Sequence, residues 1–308
     1  MNLTKKNLTF FFLALLMGSL LTLGINGLEQ NLQDYFFAQE LEAKGTAQLI
    51  PVEETSPKPE KFEATLTASS ALSTWTDLES SKILFQKNAS RSVPVASLSK
   101  LMTVFVVREL DETYRLHQPI RVSEKSVEQE GDFGLKPGEK ITTKNLMAMT
   151  LIESSNDAAY ALADYIGERS FVELMNRYAK KIELNETEFY NPTGLKVEGK
   201  PENHSSARDL VKLTRQILKK HPEILELSGK QDYRVKSRDG TLHHYIEENT
   251  NILLDNFPKI MGGKTGYTDQ ARQCLLVVME TNNGYIVNVI LGSRNRFGEM
   301  RKLIESLQ

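Results

Sequence analysis

Three short clusters hold the residue types that could do chemistry. Ser97 and Lys100 stand three positions apart in VASLSKLMTVFVV. Ser154 and Asn156 flank Ser155 in LIESSNDAAYALADY, and Lys264-Thr265-Gly266 precede Tyr267 in GGKTGYTD. A serine hydroxyl is a weak nucleophile until a base takes its proton. Residues three apart on a helix share a face, so Lys100 can reach Ser97. Leu98, Leu101, Met102, Val104, Phe105, Val106 and Val107 leave that helix almost no polar side, the mark of a central, buried helix. Burial disfavours the ammonium form of a lysine and lowers its pKa, which turns Lys100 into a candidate base. A start near Ser97 places the serine at a helix N-terminus, where free N–H groups favour developing negative charge. A capping serine with a lysine reaching for solvent gives the same spacing, so Ser-x-x-Lys alone is a weak signal. Ser154–Asn156 also fits a helix–helix turn, and Lys264–Gly266 a strand end. The three in this order are harder to dismiss than any one.

The elements that must position these residues are legible in outline. The stretch ALSTWTDLESSKILFQKN reads as two strands around a turn at Glu79-Ser80-Ser81. Helical apolar spacing fills TTKNLMAMTLIE and residues 156–184, with Thr142 or Thr143 and Asn156 or Asp157 as caps. Ser206 and Asp209 open a further helix. The last third is strand-rich, with a hairpin turn at Asn282-Asn283-Gly284 between two apolar runs, and a closing helix follows. Strands from both chain ends with helices between them imply an α+β domain: one antiparallel sheet of about five strands, its faces covered by helices.

Length and composition narrow the function. The 308 residues carry a net charge of −2, so no basic footprint argues for nucleic acid. Cys274 is the sole cysteine, which excludes an internal disulfide. The five histidines show no HExxH spacing, and His243-His244 stands without a nearby ligand set in the sequence; no metal and no cofactor is expected. At the N-terminus, Lys5-Lys6 precede an uncharged run from Asn7 to Leu28, long enough to cross a bilayer. It reads as an uncleaved membrane anchor over residues 1–28, with a cleaved secretory signal as the alternative. Basic residues before it and acidic ones after it keep the N-terminus inside and export the rest. Residues 29–67, with Pro51, Pro57 and Pro59 among glutamates and lysines, read as a stalk. Residues 68–308 are left as a single domain.

Ser-x-x-Lys, Ser-x-Asn and Lys-Thr-Gly in that order are the signature set of penicillin-binding proteins and serine β-lactamases. With NPTGL at 191–195 and HSSARDL at 204–210, the chain resembles the D-alanyl-D-alanine carboxypeptidases, the low-molecular-weight penicillin-binding proteins. The resemblance implies Ser97 as nucleophile, Lys100 as its base and Ser154 as proton relay to the leaving amine. It implies that Asn156 bonds the substrate backbone and orients Lys100. Lys264 and Thr265 would bind the terminal carboxylate, Gly266 would let substrate approach the strand edge, and the N–H groups of Ser97 and Tyr267 would form the oxyanion hole. It further implies peptidoglycan stem peptides as substrate and β-lactams as inhibitors. NPTGL and HSSARDL read as structural, with His204 packing beside a helix. Thr250 falls where some members carry an arginine, and Arg294 or Arg296 is the substitute. A class A β-lactamase would need a glutamate in Glu-x-x-Leu-Asn; here KIELN puts Lys181 at that place. A D,D-endopeptidase uses the same residues, and a silent wall-binding protein would not need all three motifs.

Overall fold

A computed structural model describes residues 66–131, 134–237 and 240–307. The expected anchor and nearly all of the expected stalk lie outside the described residues. Among the described residues eleven strands run in chain order: β1 (Ser70–Thr76), β2 (Ser81–Lys87), β3 (Val93–Pro94), β4 (Pro119–Arg121), β5 (Lys140–Thr142), β6 (His204–Ser205), β7 (Tyr233–Lys236), β8 (Leu242–Ile246), β9 (Ile260–Thr268), β10 (Arg272–Thr281) and β11 (Gly284–Ser293). The main sheet is antiparallel, in the order β2-β1-β11-β10-β9. It joins the first hairpin to the last three strands, as the sequence implies. β9, which carries Lys264, Thr265 and Gly266, is an edge strand.

The helices are α1 (Lys100–Glu109), α2 (Glu124–Val127), α3 (Thr143–Leu151), α4 (Asn156–Asp164), α5 (Glu168–Lys181), α6 (Ala207–Lys220), α7 (Glu223–Ser228) and α8 (Arg296–Glu305). α1 is central: nine of its ten residues, all but Arg108, are buried. α8 packs on the sheet through Met300, Leu303 and Ile304, which join Leu275, Val277 and Ile290 in one apolar cluster. Each large side chain buried there is worth about 1.5–3 kcal/mol.

Three local expectations shift. The first hairpin turns at Asp77–Ser80, where Asp77 Oδ1 accepts from the N–H groups of Glu79 and Ser80 and Leu78 adopts φ 80°. The second turns on Asn282-Asn283, because Gly284 already pairs with Thr281. The cap of α4 is Ser155, whose hydroxyl accepts from Ala158 N–H, and not Asn156. Thr142 and Ser206 cap α3 and α6 as expected.

Candidate active site

Ser97 does not open the α-helix itself. It lies in a 3-10 turn, Ala96–Ser99, that feeds α1. Ala96 sits at φ 50°, a left-handed conformation that costs an L-residue roughly 1–2 kcal/mol. Two glycines clamp this turn. A Cβ on Gly194 would fall 2.1 Å from Ala96 O, and one on Gly266 would fall 2.9 Å from Val95 O and 3.2 Å from Ser97 N. Gly266 is therefore required by the packing of β9 against the nucleophile turn. This packing requirement is additional to the expected close approach of substrate backbone.

Lys100 is wholly buried, and its Nζ lies 2.9 Å from Ser97 Oγ, 2.7 Å from Asn156 Oδ1 and 2.7 Å from Thr193 O. Burial, and then the charge of Lys264, hold its pKa well below the usual lysine value. The geometry has a direct consequence. Asn156 Oδ1 and the Thr193 carbonyl can only accept, so they occupy both N–H groups of a neutral amine. In the neutral state the one lone pair then faces Ser97 Oγ, whose O–H donates to it; in the charged state Nζ donates to all three oxygens.

The Thr193 carbonyl is the functional group that sequence reading missed, having read NPTGL as structural. Asn191 Oδ1 accepts from Thr193 N, Thr193 Oγ1 and Gly194 N at 3.1, 3.0 and 2.7 Å. Asn203 Oδ1 accepts from Tyr190 N and Asn191 N, while its Nδ2 donates to Asn191 O. An asparagine three residues before a glycine is a turn signal, and it could have pointed to a presented carbonyl.

Asn156 Nδ2 donates to Glu130 O at 2.6 Å. The amide thus orients Lys100, and Nδ2 keeps a second N–H. Ser154 is half-buried at φ 66°, and its hydroxyl has no partner among the described residues. The Ser154 loop is tied to β9 through Thr250: Thr265 Oγ1 donates to Thr250 Oγ1 at 2.8 Å, which donates to Ile152 O at 3.2 Å.

Lys264 is 1% exposed, and its Nζ donates to Thr265 O at 3.2 Å. Burial, followed by the nearby Arg296, brings its pKa down to about 7. Arg296 Nη1 donates to Gly266 O at 3.0 Å, and its Nε is buried without a partner among the described residues. Arg294 is exposed, and only its backbone N–H bonds, to Thr67. Of the two arginines, only Arg296 reaches the Lys-Thr-Gly strand. The Tyr267 side chain is 61% exposed and donates to Asp269. His204 lies beside Tyr190, with ring centroids 5.9 Å apart. Lys181 closes α5 with its ammonium 5.9 Å from the Tyr178 ring. No group of three or more His, Cys, Asp or Glu suited to a metal occurs among the described residues.

The site can therefore activate a serine with Lys100 and offer an anion the buried Lys264 and the half-buried Arg296. Fold and site together are of the penicillin-binding-protein class. Penicillin-binding protein 6B from Escherichia coli superposes with a TM-score of 0.70 at 28% identity, covering 83% of this chain and 81% of that one. Penicillin-binding protein D2 from Listeria monocytogenes, in its ampicillin-bound form, gives 0.66 at 29% identity over 79% and 98%. The chain belongs to the Peptidase S11 family, D-alanyl-D-alanine carboxypeptidase, whose sequence profile matches residues 54–295. The D-alanyl-D-alanine carboxypeptidase DacF of Bacillus subtilis is 33% identical over 235 residues, which is 74% of this chain and 59% of DacF. A D-alanyl-D-alanine endopeptidase of E. coli is 31% identical over 226 residues, 72% of this chain and 70% of the relative. The match spans about three-fifths of the length of DacF and of the E. coli carboxypeptidase DacD.

Proposed function

We propose that the chain is a serine D-alanyl-D-alanine carboxypeptidase that removes the terminal D-alanine from peptidoglycan stem peptides through an acyl-enzyme. The observation that carries the reading is the seat of Lys100, wholly buried with its Nζ 2.9 Å from Ser97 Oγ and 2.7 Å from both Asn156 Oδ1 and Thr193 O. Lys100 takes the Ser97 proton as Oγ attacks the carbonyl between the two D-alanines. The N–H groups of Ser97 and Tyr267 receive the oxyanion; in other acyl-transfer enzymes one such donor is worth roughly 3 kcal/mol of barrier. Ser154 passes a proton to the leaving amine. Lys264 and Arg296 hold the terminal carboxylate, and the Thr265 hydroxyl joins them by turning its hydrogen from Thr250 to the carboxylate. Water then hydrolyses the acyl-enzyme. β-Lactams present a carbonyl to the same serine and inhibit by acylating it. Residues 7–28 tether the domain outside the cytoplasmic membrane, so protease added to intact spheroplasts should degrade it.

The decisive experiment pairs two assays on the full-length chain. Intact-protein mass spectrometry with penicillin should show one adduct, absent in Ser97→Ala, and a pentapeptide ending in D-Ala-D-Ala should release D-alanine. An adduct that survives in Ser97→Ala refutes the nucleophile. Sustained penicillin hydrolysis without D-alanine release refutes the carboxypeptidase reading. One observation favours a second reading: the group beside Thr265 Oγ1 is the neutral Thr250, which demands no terminal carboxylate. Cleavage of cross-linked muropeptides without D-alanine release would select the D,D-endopeptidase.

A further inference from the structure

His243 and His244 acquire partners in the fold that the sequence does not show. β7 and β8 pair with Val235 opposite His244 but Lys236 opposite Leu242. His243 is therefore an extra residue on the β8 side, a β-bulge. Successive side chains of a regular strand point to opposite faces; a bulge re-aims one of them. Here the two imidazoles come together, with ring centroids 5.0 Å apart and their Nδ1 atoms 2.7 Å apart. Each outer nitrogen meets a carboxylate: His243 Nε2 lies 3.1 Å from Glu139 Oε2, and His244 Nε2 lies 3.3 Å from Glu153 Oε2. Glu139 Oε2 is itself fixed by Lys136 N–H.

Proton counting defines what is missing. A carboxylate oxygen accepts, so each Nε2 must carry a hydrogen. A neutral imidazole has only one N–H. With both rings neutral, both Nδ1 atoms turn lone pairs toward each other, a repulsive arrangement that a bound cation, a proton or a metal ion, relieves. An imidazole whose far nitrogen donates to a carboxylate is also how proteins hold a metal-ligating histidine in one tautomer and orientation. The side chain of His243 is 7% exposed and that of His244 is 25%, so the pair is sheltered but reachable from one side.

We propose that His243 and His244 form a two-imidazole chelating site for a borderline divalent cation of the Zn²⁺ type, with water completing the coordination. Imidazole suits Zn²⁺, Cu²⁺ and Ni²⁺. At Zn–N distances of about 2.0–2.1 Å in tetrahedral geometry, the two nitrogens stand roughly 3.3 Å apart, so each ring opens by a few tenths of an ångström on binding. The acid behind His244 immediately precedes Ser154, so an occupied site stiffens the loop that carries Ser154.

The test is titration of the metal-stripped full-length chain with ZnCl₂ in a non-coordinating buffer, followed by calorimetry and native mass spectrometry. One Zn²⁺ per chain is expected. Binding should disappear in His243→Ala and in His244→Ala, while Glu153→Gln should weaken it about 10–100-fold. The ¹⁵N shifts of the two Nδ1 atoms in the unsubstituted chain should move on binding, a readout that needs no variant to fold. Zn²⁺ uptake that persists in either alanine variant overturns the proposal. So does the absence of Zn²⁺ uptake by the unsubstituted chain.

Discussion

The pKa of Lys264, about 7, makes a prediction at physiological pH. A lysine normally titrates near 10.5, so keeping this ammonium charged in the empty site costs about 5 kcal/mol at 1.36 kcal/mol per pKa unit. A bound carboxylate about 4 Å away returns roughly 4 kcal/mol at an effective dielectric near 20. The free enzyme should therefore lose the Lys264 charge as pH rises through about 7, whereas the substrate complex should keep it. Since kcat/KM reports groups of the free enzyme and kcat those of the complex, kcat/KM should fall above about pH 7 while kcat stays flat. Two variants locate the cause. Arg296→Gln removes the second contributor to the depression, so the alkaline limb should move to higher pH even as kcat/KM at pH 6 falls with loss of a carboxylate contact. Lys264→Arg keeps its charge throughout, so the limb should disappear, at a lower absolute rate. The assay is D-alanine release from a pentapeptide across about pH 5–9. A limb that stays in place in both variants would show that Lys264 is not the titrating group.

Gly194→Ala should abolish acylation by penicillin, because its Cβ would lie 2.1 Å from the Ala96 carbonyl oxygen and its φ is already 81°; full acylation would contradict the clamp. Asn203→Ala leaves the N–H groups of Tyr190 and Asn191 and the carbonyl of Asn191 unpaired, at about 1–3 kcal/mol each. Because the Thr193 carbonyl loses its support, kcat should fall at least about tenfold with a smaller change in KM, and an unchanged kcat would exclude this positioning role. Burial alone would raise the pKa of Glu109, but hydrogen bonds from His221 and Lys220 hold it below the usual value. Its stabilising contribution is present above the unfolded carboxylate pKa and lost as pH falls through the folded one. Glu109→Gln should thus lower thermal stability at pH 7 and make little difference near pH 2–3.

The sheet was legible because its strands are apolar runs with turn residues between them, and the side-chain chemistry was legible because the three motifs stand intact. What escaped had no side-chain signature. The third acceptor of Lys100 is a backbone carbonyl, set by Asn191 and Asn203 acting on the main chain. The need for Gly266 comes from an edge strand crossing a turn about 170 residues earlier in the chain, a contact that only the fold supplies. Asn156 looked like a helix cap because asparagine caps helices well. Ser155 caps instead and frees the amide for Lys100. The His243-His244 pair looked isolated because its carboxylate partners, Glu139 and Glu153, lie 104 and 91 residues away from the rings they meet.

The same features that prepare the site work against stability. Ala96 and Ser154 hold left-handed backbone at roughly 1–3 kcal/mol each, and Lys264 is buried with no carboxylate bonded to it among the described residues. The sign of the Lys264 effect can be checked. Its folded pKa lies below its unfolded one, so between about 7 and 10.5 the unfolded chain binds more protons and stability rises with pH. Below 7 the penalty is fully present, and above 10.5 it vanishes. Lys264→Met removes it, along with one hydrogen bond to Thr265 O worth about 1 kcal/mol. The net gain at pH 6 is then about 4 kcal/mol or less. At about 2–4 °C per kcal/mol for a domain of this size, Tm should rise by roughly 5–15 °C at pH 6, and by progressively less toward pH 10. The variant should also turn over D-Ala-D-Ala peptide poorly, having lost the charge that meets the carboxylate. A stability difference that is constant with pH, or a variant less stable at pH 6, would mean that the Lys264 ammonium is not the strained group in the empty site.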